Sequence, residues 1–126
     1  MKSLMAGLTS VATAAVLLTV TAPSASAATY TLLAQNSRGG VTAKLWRNNQ
    51  TGAVHAQGLN LRAGEIARLD LYQGITRAQN VLQPNRGTKL DTSSVVVHPP
   101  ESYSACAGSP AGGTRFVCTV YYRINR

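Results

Sequence analysis

The sequence predicts an all-β domain, a small antiparallel β-sandwich carrying one disulfide. Three observations carry that expectation. Apolar residues recur with period two through most of the chain, the pattern of strands with one buried and one wet face. Clusters of Gly, Asn and Pro interrupt the alternation at short intervals, as turns require. No stretch after residue 27 repeats convincingly at the helical period. Six or seven short strands then fit a sandwich, with a small barrel as the alternative.

The first 27 residues are set apart from this fold. Lys2 supplies a positive start, and residues 4–20 are apolar apart from Gly7, Thr9, Ser10, Thr13 and Thr19. Pro23 stops a helix, and Ala25-Ser26-Ala27 offers the small residues that a signal peptidase reads. The run is diluted by Ala and Thr, unlike an anchor of about 20 strongly apolar residues. Residues 1–27 are therefore expected to be a cleaved signal peptide, with no membrane span afterwards. Residues 28–126 are expected to form one secreted, extracellular domain. Removing 27 of 126 residues leaves 99, enough for a single core.

The elements follow in chain order. Tyr30, Leu32 and Ala34 form one face of a first strand, which ends at the turn cluster Asn36-Ser37-Arg38-Gly39-Gly40. Val41, Ala43 and Leu45 alternate with Thr42, Lys44 and Trp46 in a second strand. Asn48-Asn49-Gln50-Thr51-Gly52 makes a hairpin loop, and Val54, Ala56 and Gly58 alternate with His55 and Gln57 on the return. Residues 59–64 read as a crossing segment. Residues 62–72 could open a helix, but Ala67, Leu69 and Leu71 alternate with Arg68, Asp70 and Tyr72, which favours a strand. Gln83-Pro84-Asn85-Arg86-Gly87 is a turn, and Val95-Val96-Val97 belongs to another strand, ended by His98-Pro99-Pro100. Last, Phe116, Cys118, Val120, Tyr122 and Ile124 face one way and Arg115, Thr119, Tyr121 and Arg123 the other. That reads as one long strand with Cys118 on its core face.

Two cysteines in an exported chain default to oxidation, so Cys106 and Cys118 are expected to pair. Closing a loop of that size contributes about 3 kcal/mol in the chain-entropy picture. Neither CxxC spacing nor a neighbouring His supports redox chemistry. The glycines between the cysteines imply a flexible loop, which argues against the rigid inserted loop of a protease inhibitor. That inhibitor remains a third functional alternative.

Charge narrows the partners. The segment after residue 27 keeps eleven Lys and Arg against four acidic residues, a net charge of +7. Such a basic protein attracts anionic partners, including teichoic acids, anionic lipid surfaces and nucleic acid. The basic residues are scattered, however, and a solvated surface is the simpler reading.

Catalytic signatures are sparse. His55 and His98 lack the companions of a metal site, so no metal or cofactor is expected. Glu65, Asp70, Asp91 and Glu101 nominate no glycosidase pair, and no G-x-S-x-G elbow occurs. His98 and Glu101 beside an Arg could be cast as a small nuclease, the alternative enzyme reading. Trp46, Tyr72 and Tyr121 fall on the polar register of their strands and could stack on sugar rings, although Trp46 is assigned to the core on balance. They are the candidate binding residues.

Trp46-Arg47-Asn48-Asn49-Gln50-Thr51-Gly52-Ala53-Val54-His55-Ala56, then Leu69-Asp70, Ala105-Cys106 and Val117-Cys118-Thr119, resemble small secreted actinobacterial β-proteins with two late cysteines. That resemblance implies location and β fold, and no activity. The chain departs from it where Arg68, not Trp, precedes Leu69-Asp70, and where Gln73-Gly74-Ile75 follows without a tryptophan. The run from Val54-His55-Ala56 through Leu61-Arg62-Ala63-Gly64 is similar to a strand-turn of bacterial immunoglobulin-like domains of the neocarzinostatin type. It implies a sandwich. The expectation is a monomeric, non-catalytic domain binding an anionic or polysaccharide cell-wall polymer, or an extracellular protein.

Overall fold

The protein is described by a computed structural model covering residues 28–126; the signal-peptide reading of residues 1–27 lies outside the described residues. Among the described residues nine strands run in order: β1 (Tyr30–Arg38), β2 (Val41–Asn48), β3 (Val54–Leu59), β4 (Ile66–Leu71), β5 (Ile75–Val81), β6 (Leu90–Asp91), β7 (Glu101–Gly108), β8 (Phe116–Cys118) and β9 (Tyr122–Ile124). One sheet, called I, has the order β1-β2-β3-β6. Sheet II has the order β9-β7-β4-β5, with β8 also pairing β7. Every pairing is antiparallel. With β3 beside β6 in one sheet and β4 beside β7 in the other, the chain crosses between sheets as an immunoglobulin-like Greek key does.

The two sheets meet through small and medium side chains. Val41, Ala43 and Leu45 of β2 and Val54 and Ala56 of β3 face Leu69 of β4, and Tyr103, Ala105 and Ala107 of β7; Val117 and Ile124 complete the layer. Strict alternation in β2 and β3 therefore has its expected cause, one face buried and the other open. Gly58 belongs to that layer for a steric reason. A Cβ there would lie 2.8 Å from Leu61 and 2.9 Å from Ala107.

Four expectations change. The first strand carries a bulge between Leu32 and Ala34, so Tyr30 and Leu32 face outward while Leu33 and Ala34 pack against the core. The expected long final strand is two short ones, interrupted at 119–121; the first piece has the register opposite to the reading from period two, whereas Ile124 in the second is buried as expected. Val117 is buried in the core, whereas Cys118 sits on the outer face of sheet II opposite Cys106. Val95 makes only an isolated bridge to Val54 rather than a strand of its own. Finally, β5 and β7 emerge as strands that alternation did not mark.

Two threonines explain how the interrupted edges hold together. Thr119 donates its amide to the Ala105 carbonyl (2.8 Å), while its Oγ1 accepts the Ala105 amide (3.1 Å) and donates to the Val120 carbonyl. Thr92 repeats the arrangement on sheet I. Its amide bonds the Ala56 carbonyl (2.9 Å), and its Oγ1 accepts the Ala56 amide (3.0 Å) and donates to the Ser93 carbonyl. In each case a side-chain oxygen replaces the carbonyl that a regular strand would have offered. Two asparagines link the sheets at their margins: Asn36 donates to the Cys118 carbonyl (3.1 Å) and Asn80 to the Asp91 carbonyl (3.2 Å).

The loop between the cysteines is anchored, contrary to the flexible reading. Gly112 donates its amide to the Ser109 carbonyl, and Gly113–Arg115 forms a 3-10 turn. Arg115 then reaches across to Glu65 through Nε (2.9 Å) and Nη2 (2.8 Å), to the Gly39 carbonyl (3.1 Å) and to the Asn60 carbonyl (3.0 Å). Its guanidinium holds the Glu65 carboxyl below the usual range, with the hydrogen bond as the largest cause. Gly108, at φ +123°, is required at the loop's start because a Cβ there would run into the Arg115 carbonyl.

Candidate functional site

The outer face of sheet I carries an open groove of about 410 Å³, lined by Tyr30, Trp46, His55, Gln57, Asp91, Thr92 and Ser94. Its position follows from the core. Because Leu45 and Ala56 point inward, their neighbours Trp46 and His55 point outward, and the register places these two directly opposite each other. Gln57 lies one step further along β3, opposite Asp91 of the edge strand β6. The outward turn at the β1 bulge brings Tyr30 alongside, with its ring edge-to-face with His55 at 5.4 Å between centroids.

A continuous chain of hydrogen bonds fixes these side chains. The Trp46 indole donates to Gln57 Oε1 (3.0 Å), and Gln57 Nε2 donates to Asp91 Oδ1 (3.0 Å). His55 Nε2 lies 3.2 Å from the same Asp91 oxygen. With the proton on Nε2, His55 is a second donor to Asp91 and its Nδ1 is left as an acceptor. Lys44 places its ammonium 5.6 Å from the Trp46 ring centre, a cation–π contact. The indole is thus locked in plane by Gln57 before any ligand arrives. Asp91 Oδ2 and the hydroxyls of Tyr30 and Ser94 have no hydrogen-bond partner among the described residues, so they remain available to the groove.

Chemically, this set suits recognition better than reaction. His55 and Asp91 form a pair, yet no hydroxyl hydrogen-bonds His55 among the described residues, so no nucleophile is coupled to the base. An aromatic plane bordered by a carboxylate oxygen, an imidazole nitrogen and two hydroxyls matches a ligand with one apolar face and many hydroxyls.

The remaining candidates sit elsewhere. Tyr72 and Tyr121 lie together on the outer face of sheet II, edge-to-face at 5.4 Å, both exposed and remote in register from Trp46. The three candidate aromatics therefore belong to two faces. Trp46 itself is partly buried on the outer face of β2 and is outside the core clusters. Glu101 accepts the Tyr103 hydroxyl and the backbone amide of His98 (3.3 Å), so the hydrogen bond from His98 comes from its main chain. The Tyr103 bond holds the Glu101 carboxyl below the usual range. Among the described residues no group of three or more His, Cys, Asp or Glu could hold a metal, and no helix is long and apolar enough to cross a membrane.

Sequence reading passed over the central pair of the groove. His55 and Asp91 are 36 positions apart, and β6, which delivers Asp91, is only two residues long. The available signal was Gln57 and His55 alternating with core residues on the same strand as the Trp46 hairpin.

Comparison with known proteins adds no relative: no family model, no curated protein and no solved structure matches the chain.

Proposed function

We propose that the protein is an exported, non-catalytic domain that binds a polysaccharide of the cell wall or surroundings through the Trp46 groove. The observation that carries this reading is the Trp46 indole, oriented by Gln57 on an open sheet face beside unpartnered hydroxyl and carboxylate oxygens. A pyranose ring presents the complementary surface, apolar C–H on one face and hydroxyls around its rim. The signal-like segment of residues 1–27 supports export, and the Cys106–Cys118 disulfide is consistent with an oxidising compartment.

The test is retention of the oxidised protein on insoluble peptidoglycan and on uncharged insoluble glucans. Trp46→Ala should lower retention about tenfold or more, since an aromatic stacking surface contributes about 1–3 kcal/mol. Because Trp46 lies outside the core, the variant should keep the parent's circular dichroism. A variant that folds and binds as the parent does would overturn the reading, as would failure of the parent to bind any of these polymers.

A further inference from the structure

We infer that the outer face of sheet II is a second, separate binding site, built for an acidic glycan. The register places three side chains in one row across it. Arg123 of β9 pairs with Ser102 of β7, and the Tyr72 amide bonds the Ser102 carbonyl from the end of β4. Tyr121, just ahead of β9, braces the Tyr72 ring edge-to-face. A groove of about 620 Å³ runs past Tyr72, Ile75, Ser102 and Arg123. Tyr72 (58% exposed) gives it an aromatic wall in contact with solvent, while Ile75, paired with Leu71, borders it from the inner face of the sheet.

Charge selects the occupant. Two of the four carboxylates after residue 27 pair with arginines, Glu65 with Arg115 and Asp70 with Arg68. Asp91 is engaged by His55 and Gln57, and Glu101 by the Tyr103 hydroxyl and the His98 amide. Glu101 also borders this groove, but from the other side of β7. It lies opposite Ile124 and shares the face of Tyr103, both of them buried. Arg123 shares only its Nε with Asn125 (3.0 Å), which leaves the guanidinium fork on the face that Tyr72 occupies. A sugar ring against Tyr72 with its carboxylate or phosphate on Arg123 satisfies both features at once. The Trp46 groove differs in kind, since its carboxylate, Asp91, belongs to the hydrogen-bonded row that holds the indole. The two sites lie on different sheets of the sandwich, so one molecule can hold a neutral and an acidic chain together.

Affinity electrophoresis in polygalacturonate and in a teichoic-acid polymer, for carboxylate and phosphodiester charge respectively, tests this directly. Arg123→Ala should weaken binding to at least one of them about tenfold, the effect of losing a charge-assisted bond. Arg86→Ala removes the same charge from an exposed turn and should change binding less than about twofold. Tyr72→Ala should act like Arg123→Ala, whereas Trp46→Ala should leave acidic-polymer binding intact and lose only the uncharged glucan. Equal losses for Arg123→Ala and Arg86→Ala would overturn the site in favour of diffuse charge. Tighter, Arg123-dependent binding of a single-stranded oligonucleotide would overturn the glycan assignment. Either failure leaves the Trp46 result untouched, so the two readings fall separately.

Discussion

Replacing Tyr103 by Phe deletes one oxygen from a core ring, and its cost should depend on pH. Tyr103 is fully buried on the inner face of β7, and its hydroxyl donates to Glu101. Burial first, and the Glu101 carboxylate second, push the phenol up to about 12 from 10.0. In the unfolded chain the phenol loses its proton near pH 10, whereas the folded protein keeps it until about pH 12. Over that window the unfolded state binds fewer protons, so stability present below pH 10 is lost as pH rises. A shift of roughly two pH units corresponds to about 2–3 kcal/mol. At pH 8 the variant forfeits a hydrogen bond to a charged acceptor, which contributes about 1.5–3 kcal/mol. The two figures agree, so the stability curves of parent and variant should start apart by about 2 kcal/mol at pH 8 and converge by pH 12. Urea unfolding read by the fluorescence of Trp46, the single tryptophan, measures both proteins across this range. Parent and variant differ by this one oxygen, so the difference between the two curves isolates Tyr103. Parallel curves up to pH 12 would refute the argument.

Two further perturbations probe the scaffold. Arg115→Ala leaves the Glu65 carboxylate with the Arg62 amide alone and strips two backbone carbonyls of this donor, and should lower the urea midpoint at neutral pH. Because the folded Glu65 titrates below its ordinary 4.5, its contribution is present above that value and lost as pH falls through the folded one; the acid limb of the parent's stability profile should flatten in the variant. Thr119→Val and Thr92→Val keep the side-chain shape but leave the amides of Ala105 and Ala56 unpaired. Each should lower stability by about 1–3 kcal/mol, read as a shifted urea midpoint at constant slope.

What could be read from the chain divides along local and non-local lines. The β2–β3 hairpin was legible because Val41, Ala43, Leu45, Val54 and Ala56 all face one core and the loop between them is rich in Asn and Gly. The disulfide was legible by elimination. β7 was not, since it lies in the middle of sheet II and its Ser104, Ala105, Cys106 and Ala107 are buried on both faces, which erases alternation. β5 failed for the opposite reason: it is an edge strand in which only Ala78 is partly buried. The final strand misled because Thr119 breaks it, and residues on either side of a break no longer share one phase. At the site, period two offered the open face for Trp46 but the balance of the reading put it in the core, and His55 meeting Asp91 depended on a chain crossing that no local pattern records.

The paired threonines and asparagines have a consequence for how copies of this chain behave toward each other. An uninterrupted border strand is a template on which another molecule can add its own strand, the first step toward fibres. Here the β6 border ends after two residues in the Thr92 arrangement, and the β8/β9 border is broken at Thr119. The remaining borders, β1 and β5, are tied to the opposite sheet by Asn36 and Asn80, and β1 is bent by its bulge. A chain built from short strands with polar outer faces could have been sticky along its rims. Its interruptions and cross-sheet amides instead shorten and pin those rims, so the contacts that close the sandwich also blunt its edges as templates.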